Sequence, residues 1–299
     1  MDDYVKRLLD ARKRLELVEA SFSLSYDLLS SELQRLWCLL SVFPADFDLT
    51  AAAAVWQRDR DPAEESLGEL LKWSLVEFDP AGKRYRLHDL ARDYAASRLQ
   101  AEDKAQAEQH HAEHYRSVLS ASKEQYIQGG ENVSSGLAFL DREWANIRAG
   151  QAWAERNLQG SRAAASLCSS YPDAGAYVLD LRLHPRERIR WLETALAAAR
   201  QMNDRNSEGV HLGNLGSAYA DLGDARKAIE YYQQALAIAR EIGDRRGEGN
   251  ALWNMSLALD RLGKRDEAVK LAQDALAIYQ QIESPAAELV RRQLAQWQG

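Results

Sequence analysis

Cysteine is nearly absent, with Cys38 and Cys168 the only two in 299 residues. Two thiols build neither a disulfide framework nor a four-thiolate zinc site, so a reducing, cytoplasmic compartment is the expectation. Proline is scarce too, at six residues, which leaves long helices without their strongest breaker. The longest apolar run, Ala51–Trp56, has six residues, against the ~20 that span a bilayer. No basic-then-apolar leader follows Met1-Asp2-Asp3, so neither a secretory signal nor a membrane location is expected. Positive charge is in deficit: 38 Lys+Arg stand against 45 Asp+Glu, a net charge of −7. Nucleic-acid binding through phosphates wants the opposite balance. A phosphate-cradling Gly-x4-Gly-Lys-Ser/Thr is missing as well; Gly129-Gly130 has no lysine after it, and Gly82-Lys83 has Glu77 where the first glycine belongs. Neither a Ser-His-Asp, a Cys-His nor a paired-carboxylate constellation can be defended, so no catalytic and no metal residue is assigned.

What remains is material for helices and cores. Hydrophobic residues make up 46% and charged residues 28%, which argues against disorder. The length admits two domains at ~100–200 residues each. Residues 205–244 align with 245–284 at an offset of 40, with 15 identities. These include Glu208/Glu248, Gly209/Gly249, Asn214/Asn254, Leu222-Gly223/Leu262-Gly263, and Ala235 to Ile238 against Ala275 to Ile278. Each copy reads as two helices broken at Leu-Gly, where glycine takes the positive φ of a C-cap. Small residues (Gly216, Ala228, Ala235; Ser256, Ala268, Ala275) recur where helices cross closely, and Leu212, Leu215, Tyr219 and Tyr232 fill the seam. The pattern resembles the tetratricopeptide repeat (TPR). A worn copy over ~166–204 is marked by Ile189, Ala195, Leu196 and Met202. Ser284-Pro285 opens a capping helix over 285–298, with Val290, Leu294 and Trp297 on one face. The chain could end there naturally or lie within a longer array; the second is favoured.

The first hundred residues differ in texture. Helices are expected over about 31–42, 49–57 and 62–73, then a hairpin of 75–78 with 84–87, then a helix from His88-Asp89. That is a winged-helix order. Ser21 to Leu29, Ser41-Val42-Phe43-Pro44, Leu70 to Glu77 and Tyr85 to Ala95 resemble the winged-helix subdomain of NB-ARC proteins. These belong to the STAND class of signal-transducing ATPases. Leu87-His88-Asp89 resembles the family's Met-His-Asp motif, and the resemblance implies that His88, with Asp89, senses the β-phosphate of ADP. ADP or ATP with Mg would then be cofactors of a parent protein only. The chain begins where that family's nucleotide-binding part would end, so it resembles a C-terminal portion lacking ATPase activity of its own. Residues 1–20 would be a lead-in helix, 21–100 the winged helix, 101–165 a helical connector and 166–299 the TPR array. Within the connector, Glu143-Trp144-Ala145-Asn146-Ile147-Arg148-Ala149 resembles a pattern of bacterial NB-ARC/TPR regulators. The fold class is mainly α.

In such an array the first helix of each pair lines the concave face. Counting from the packing positions puts Val210, Gly213, Asn214, Ser217 and Asp221 there, then Asn250, Trp253, Asn254, Leu257 and Arg261. Asparagine is a mediocre helix former away from caps, and its amide can bond both donor and acceptor of a peptide backbone. Trp253, if exposed, would be an anchor. No lysine pair suits a terminal carboxylate. The expected partners are a protein or peptide on this face and an upstream nucleotide-binding module, with the fragment itself monomeric. The alternative is a groove that packs on that module instead.

Competing features carry less. The presumptive DNA-reading helix, Asp59–Trp73, holds five acids against Arg60 and Lys72, so phosphates would repel it. His110, His111 and His114 suggest a metal, but a solvated helix face explains them equally well. Cys38, beside Trp37 and Leu40, reads as a buried inert thiol, and Arg12-Lys13-Arg14 as a solvated face. The expected function is the regulatory and sensor portion of a STAND ATPase. The alternatives are a stand-alone TPR adaptor and, behind it, a DNA-binding winged-helix regulator.

Overall fold

The computed structural model describes residues 20–298, so most of the expected lead-in helix, with Arg12-Lys13-Arg14, lies outside the described residues. The chain divides into two compact units, one ending at Ala154 and the other starting at Glu155.

In the first unit, α1 (residues 20–27) leads to α2 (Ser31–Leu39). Ser30 caps α2 by accepting from the Leu33 N–H at 3.2 Å. A 3-10 turn, Leu40–Val42, ends at Phe43, and α3 (Leu49–Trp56) is capped by Asp48. Helix α4 covers Arg60–Lys72, with Pro62 in its first turn. Two buried indoles tie these elements: Trp37 donates to the Leu75 carbonyl at 3.0 Å and Trp56 to that of Leu36 at 2.8 Å. Strands β1 (Glu77–Asp79) and β2 (Arg84–Arg86) pair antiparallel with Phe78 opposite Tyr85. The hairpin is shorter and later than expected, because Leu75 and Val76 are spent as core residues. Phe47 bridges to Tyr85 on the other edge of β2. Asp79 closes the turn, accepting from the N–H groups of Ala81 and Gly82. Helix α5 spans Asp89–Arg98.

Two long helices follow, α6 (Ala101–Ile127) and α7 (Asn132–Arg156). They cross closely at Gly136, where a Cβ would lie 2.8 Å from the Ser122 carbonyl oxygen; Ser122 also donates to the Gly136 carbonyl at 2.8 Å. Arg84 reaches α7 from β2 in a buried pair with Glu143, at 2.5 and 2.9 Å. Asn146, one turn on, donates to the Asp46 carbonyl. Glu143 and Asn146 are thus the buried polar anchors of the connector motif. Leu140 and Ile147 are buried, while Leu137 and Trp144 are half-buried.

The second unit is a stack of helix pairs: α8 (Arg162–Ala174) with α9 (Pro185–Gln201), α10 (Arg205–Asp221) with α11 (Ala225–Ile242), and α12 (Arg245–Arg261) with α13 (Arg265–Gln281). Helix α14 (Ala286–Gln298) covers the last pair through Val290 and Leu294. The protein is therefore mainly α, with a TPR-like solenoid as its second half. Helix α8 begins a turn earlier than the worn repeat was expected to. The α8–α9 connection is long and includes a 3-10 turn at Leu179–Leu181. Gly216 is what lets α10 and α11 meet, since a Cβ there would sit 2.5 Å from the Tyr232 ring.

Candidate functional site

Helices α10 and α12 are the first members of consecutive pairs, and α11 forms the floor between them. A groove of about 280 Å3 opens there. Val210, Gly213, Asn214 and Ser217 supply one wall, Asn250 and Asn254 the other, and Tyr232, Ala235 and Ile238 the floor. Asn214 and Asn254 are half-buried, and neither amide has a hydrogen-bond partner among the described residues. Ser217 and Asn250, on the same walls, are partly spent. Ser217 donates to the Gly213 carbonyl and accepts from the Tyr232 hydroxyl, both at 3.2 Å. The Asn250 oxygen accepts from Tyr279 at 2.7 Å.

The remaining expected positions fall elsewhere. Asp221 pairs with Arg188 at 3.1 Å and, with Asn214 and Ser217, lines a second depression of about 330 Å3 beside Tyr177 and Leu179. Trp253 is not a free anchor: it is half-buried and packs on Trp297, ring centroids 6.3 Å apart. Leu257 is half-buried and lines neither depression. Arg261 is exposed and donates to the Ala220 carbonyl at 2.9 Å, bracing α12 on α10. Counting positions on a straight helix cannot foresee which of them a neighbouring helix will cover.

In the first unit His88 is the N-cap of α5, its Nδ1 accepting from the Leu90 N–H at 3.3 Å. The ring is exposed, and its Nε2 has no partner among the described residues. Asp89 pairs with Arg92 at 2.8 Å. The three connector histidines do not lie on a solvated face. His110 faces the Val55 carbonyl, and His111 is buried with Nε2 3.5 Å from the Asn146 oxygen. Burial pushes the His111 pKa down to about 3 and lowers that of His114. Among the described residues no three metal-binding side chains come together. Cys38 is buried, and burial raises its thiol. Helix α4 presents Asp61, Glu64, Glu65 and Glu69 to solvent.

Two features escaped the sequence reading. Glu208 and Glu248 are buried, each clasped by two arginines: Arg200 and Arg205 on one, Arg240 and Arg245 on the other. Their identity across the repeat was the available signal. His211 is fully buried against Ser169 at 3.0 Å, with its Nδ1 lacking a partner among the described residues; nothing in the sequence marked it.

Comparisons with known proteins bear on the second unit first. A Tetratricopeptide repeat family model matches residues 189–241 and 207–281. Regulatory protein AfsR of Streptomyces coelicolor is 39% identical over 97 residues, covering 30% of this chain and 10% of that protein. A Mycobacterium tuberculosis protein named "Putative HTH-type transcriptional regulator" is 30% identical over 191 residues, covering 62% of this chain and 21% of that protein. The chain thus spans a small part of the length of these relatives. Among solved structures, a STAND protein with a tetratricopeptide repeat sensor from Pyrococcus horikoshii is 16% identical with a TM-score of 0.37, over 91% of this chain and 53% of that one. Kinesin light chain-like repeats of Podospora anserina are 18% identical with a TM-score of 0.44, over 62% and 86%. The segment from 189 to 281, which holds α9 to α13, is thus similar to tetratricopeptide repeats.

Proposed function

We propose that the chain is the regulatory and sensor portion of a STAND-type ATPase, whose repeat array takes a protein or peptide ligand between α10 and α12. The pair of unpartnered amides, Asn214 and Asn254, carries this reading. They stand one repeat apart on opposite walls of one groove. An extended peptide offers a backbone donor and acceptor at each ~3.3 Å step, and each amide matches one of each. Half-burying an unpaired amide costs free energy that a bound backbone would return.

In the same reading the first unit is a winged helix that reports nucleotide state. With Nδ1 committed to the helix cap, His88 would turn Nε2 toward the β-phosphate of ADP held by a module outside this chain. ADP, ATP and Mg belong to that module, and the contribution made here is one imidazole. Replacing His88 by Ala in the longer protein should weaken ADP retention about tenfold or more, the worth of a hydrogen bond to a charged group.

A stand-alone TPR adaptor would share the groove but have no use for His88. A DNA-binding regulator is disfavoured by the acidic exposed face of α4. Selecting a random peptide library on the chain tests the groove. Peptides retained by the wild type should bind the Asn214→Ala/Asn254→Ala variant at least tenfold more weakly, with its melting temperature unchanged. Equal retention would remove the groove from the proposal.

A further inference from the structure

The repeat contains its own comparison. One repeat beyond the open groove, the corresponding cleft between α12 and α14 is filled by the chain itself. Trp253 stands where the first cleft has Gly213, Tyr279 where it has Ala239, and Val290 and Leu294 where it has Asn250 and Asn254. These side chains form a packed apolar cluster with Ala275 and Ile278, closed from α14 by Trp297. In the first cleft the tryptophan position is glycine, and a Cβ at Gly213 would meet nothing within 4 Å. The opening, about 280 Å3, lies at the low end of the ~300–1,000 Å3 of sites that enclose a whole small molecule. It is sized for one large side chain of something bigger.

Charge narrows the occupant. Two charged side chains, Asp244 and Arg246, line this groove. The Asp244 carboxylate is half-buried and accepts from the Gly247 N–H at 2.9 Å as the α12 cap, whereas Arg246 is exposed; neither has an ion-pair partner among the described residues. The fully exposed charge on the rim is therefore positive.

We infer that the cleft between α10 and α12 is a receptor slot for a single aromatic side chain of an acidic peptide segment. The ring enters above Gly213, as Trp253 does one repeat later, and a flanking carboxylate meets Arg246. This deepens the proposed ligand groove and rests on it.

Capped peptides serve as probes: acetyl-Glu-Trp-Ala-amide, its Trp→Ala analogue and its Glu→Lys analogue. Titrations are followed by methyl NMR at Ile238, Ala235 and Ala251 of the full chain. The tryptophan probe should give saturable shifts at these methyls, with both analogues at least tenfold weaker. Gly213→Trp should abolish the shifts without lowering the melting temperature. Should Gly213→Trp fail to fold, Ala239→Tyr, which copies Tyr279, takes its place. Absence of saturable shifts, equal response to the tryptophan and alanine probes, or binding that survives the filled cleft overturns the slot. So does a peptide-free, concentration-dependent shift accompanied by dimers in sedimentation, which would make a second copy the occupant. If the filled cleft still retains the library peptides that the double asparagine variant loses, the slot falls and the groove stands. If both variants retain them, the groove falls as well.

Discussion

Glu208 is held by Arg200 at 2.8 Å from the preceding helix and by Arg205 at 2.5 Å from its own. Burial alone would raise its pKa, but the two guanidiniums bring it below the ordinary carboxylate range. A charged acceptor with two charged donors is worth more than a surface ion pair, because the carboxylate is removed from competing water. Glu208→Gln should therefore cost about 1.5–3 kcal/mol, read as a lower denaturation midpoint. A loss within experimental error would make the clasp ornamental. His111 poses the opposite problem, a base buried in neutral form with Phe43 and Tyr115 around it. Its pKa is about 3 in the fold and ~6.5 when unfolded. The unfolded chain thus binds the extra proton, and stability present above pH ~6.5 is lost as pH falls toward the folded value, at most ~1.4 kcal/mol per unit. His111→Gln should flatten this dependence between pH 7 and 5 in urea melts. An unaltered slope would place the titration elsewhere.

At the scale of elements, two of the three glycines of α10 should respond to replacement with opposite signs. Gly216 has the Tyr232 ring where a Cβ would stand, at 2.5 Å, whereas Gly213 has open space. Gly216→Ala should destabilise by about 1–3 kcal/mol through overpacking. Gly213→Ala should stabilise by up to ~1 kcal/mol, because the helix gains propensity at no steric cost. Matching signs in thermal melts would contradict this packing. The hairpin and α7 supply a second test. Arg84 and Glu143 are both buried, their side chains 7% and 4% exposed. Glu143→Leu leaves a guanidinium short of its main partner and should cost about 3–5 kcal/mol. Arg84→Met combined with Glu143→Leu should recover most of that loss, since the charge that needed a partner has gone. Failure to recover would mean that the pair also fixes the geometry of its neighbours.

At the scale of the molecule, each unit has apolar side chains enough for a core of its own. The clusters around Leu212, Tyr232 and Leu252 draw only on residues of the second unit. Residues 157–299 expressed alone should be helical and unfold in one cooperative transition by circular dichroism. A broad, non-cooperative melt would show that this half depends on the rest. Among the described residues no helix is long and apolar enough to cross a membrane.

Helix content, the 40-residue repeat and the helix start at His88-Asp89 were legible in the sequence, because each depends on near neighbours in the chain, whereas the caps at Ser30 and Asp48 emerged from the structure. The asparagine pair was legible for the same reason: two copies of one residue at one register must share a face. The fate of Trp253 was not, because its exposure was set by α14, a different element arriving from 40 residues on. Nor could spacing reveal that Glu143 would be buried on Arg84, 59 residues away. A charged residue in an amphipathic helix reads as solvated until something packs over it. Local pattern determined which helices form and which residues share a face; only the packing of one helix on another decided which faces stayed open.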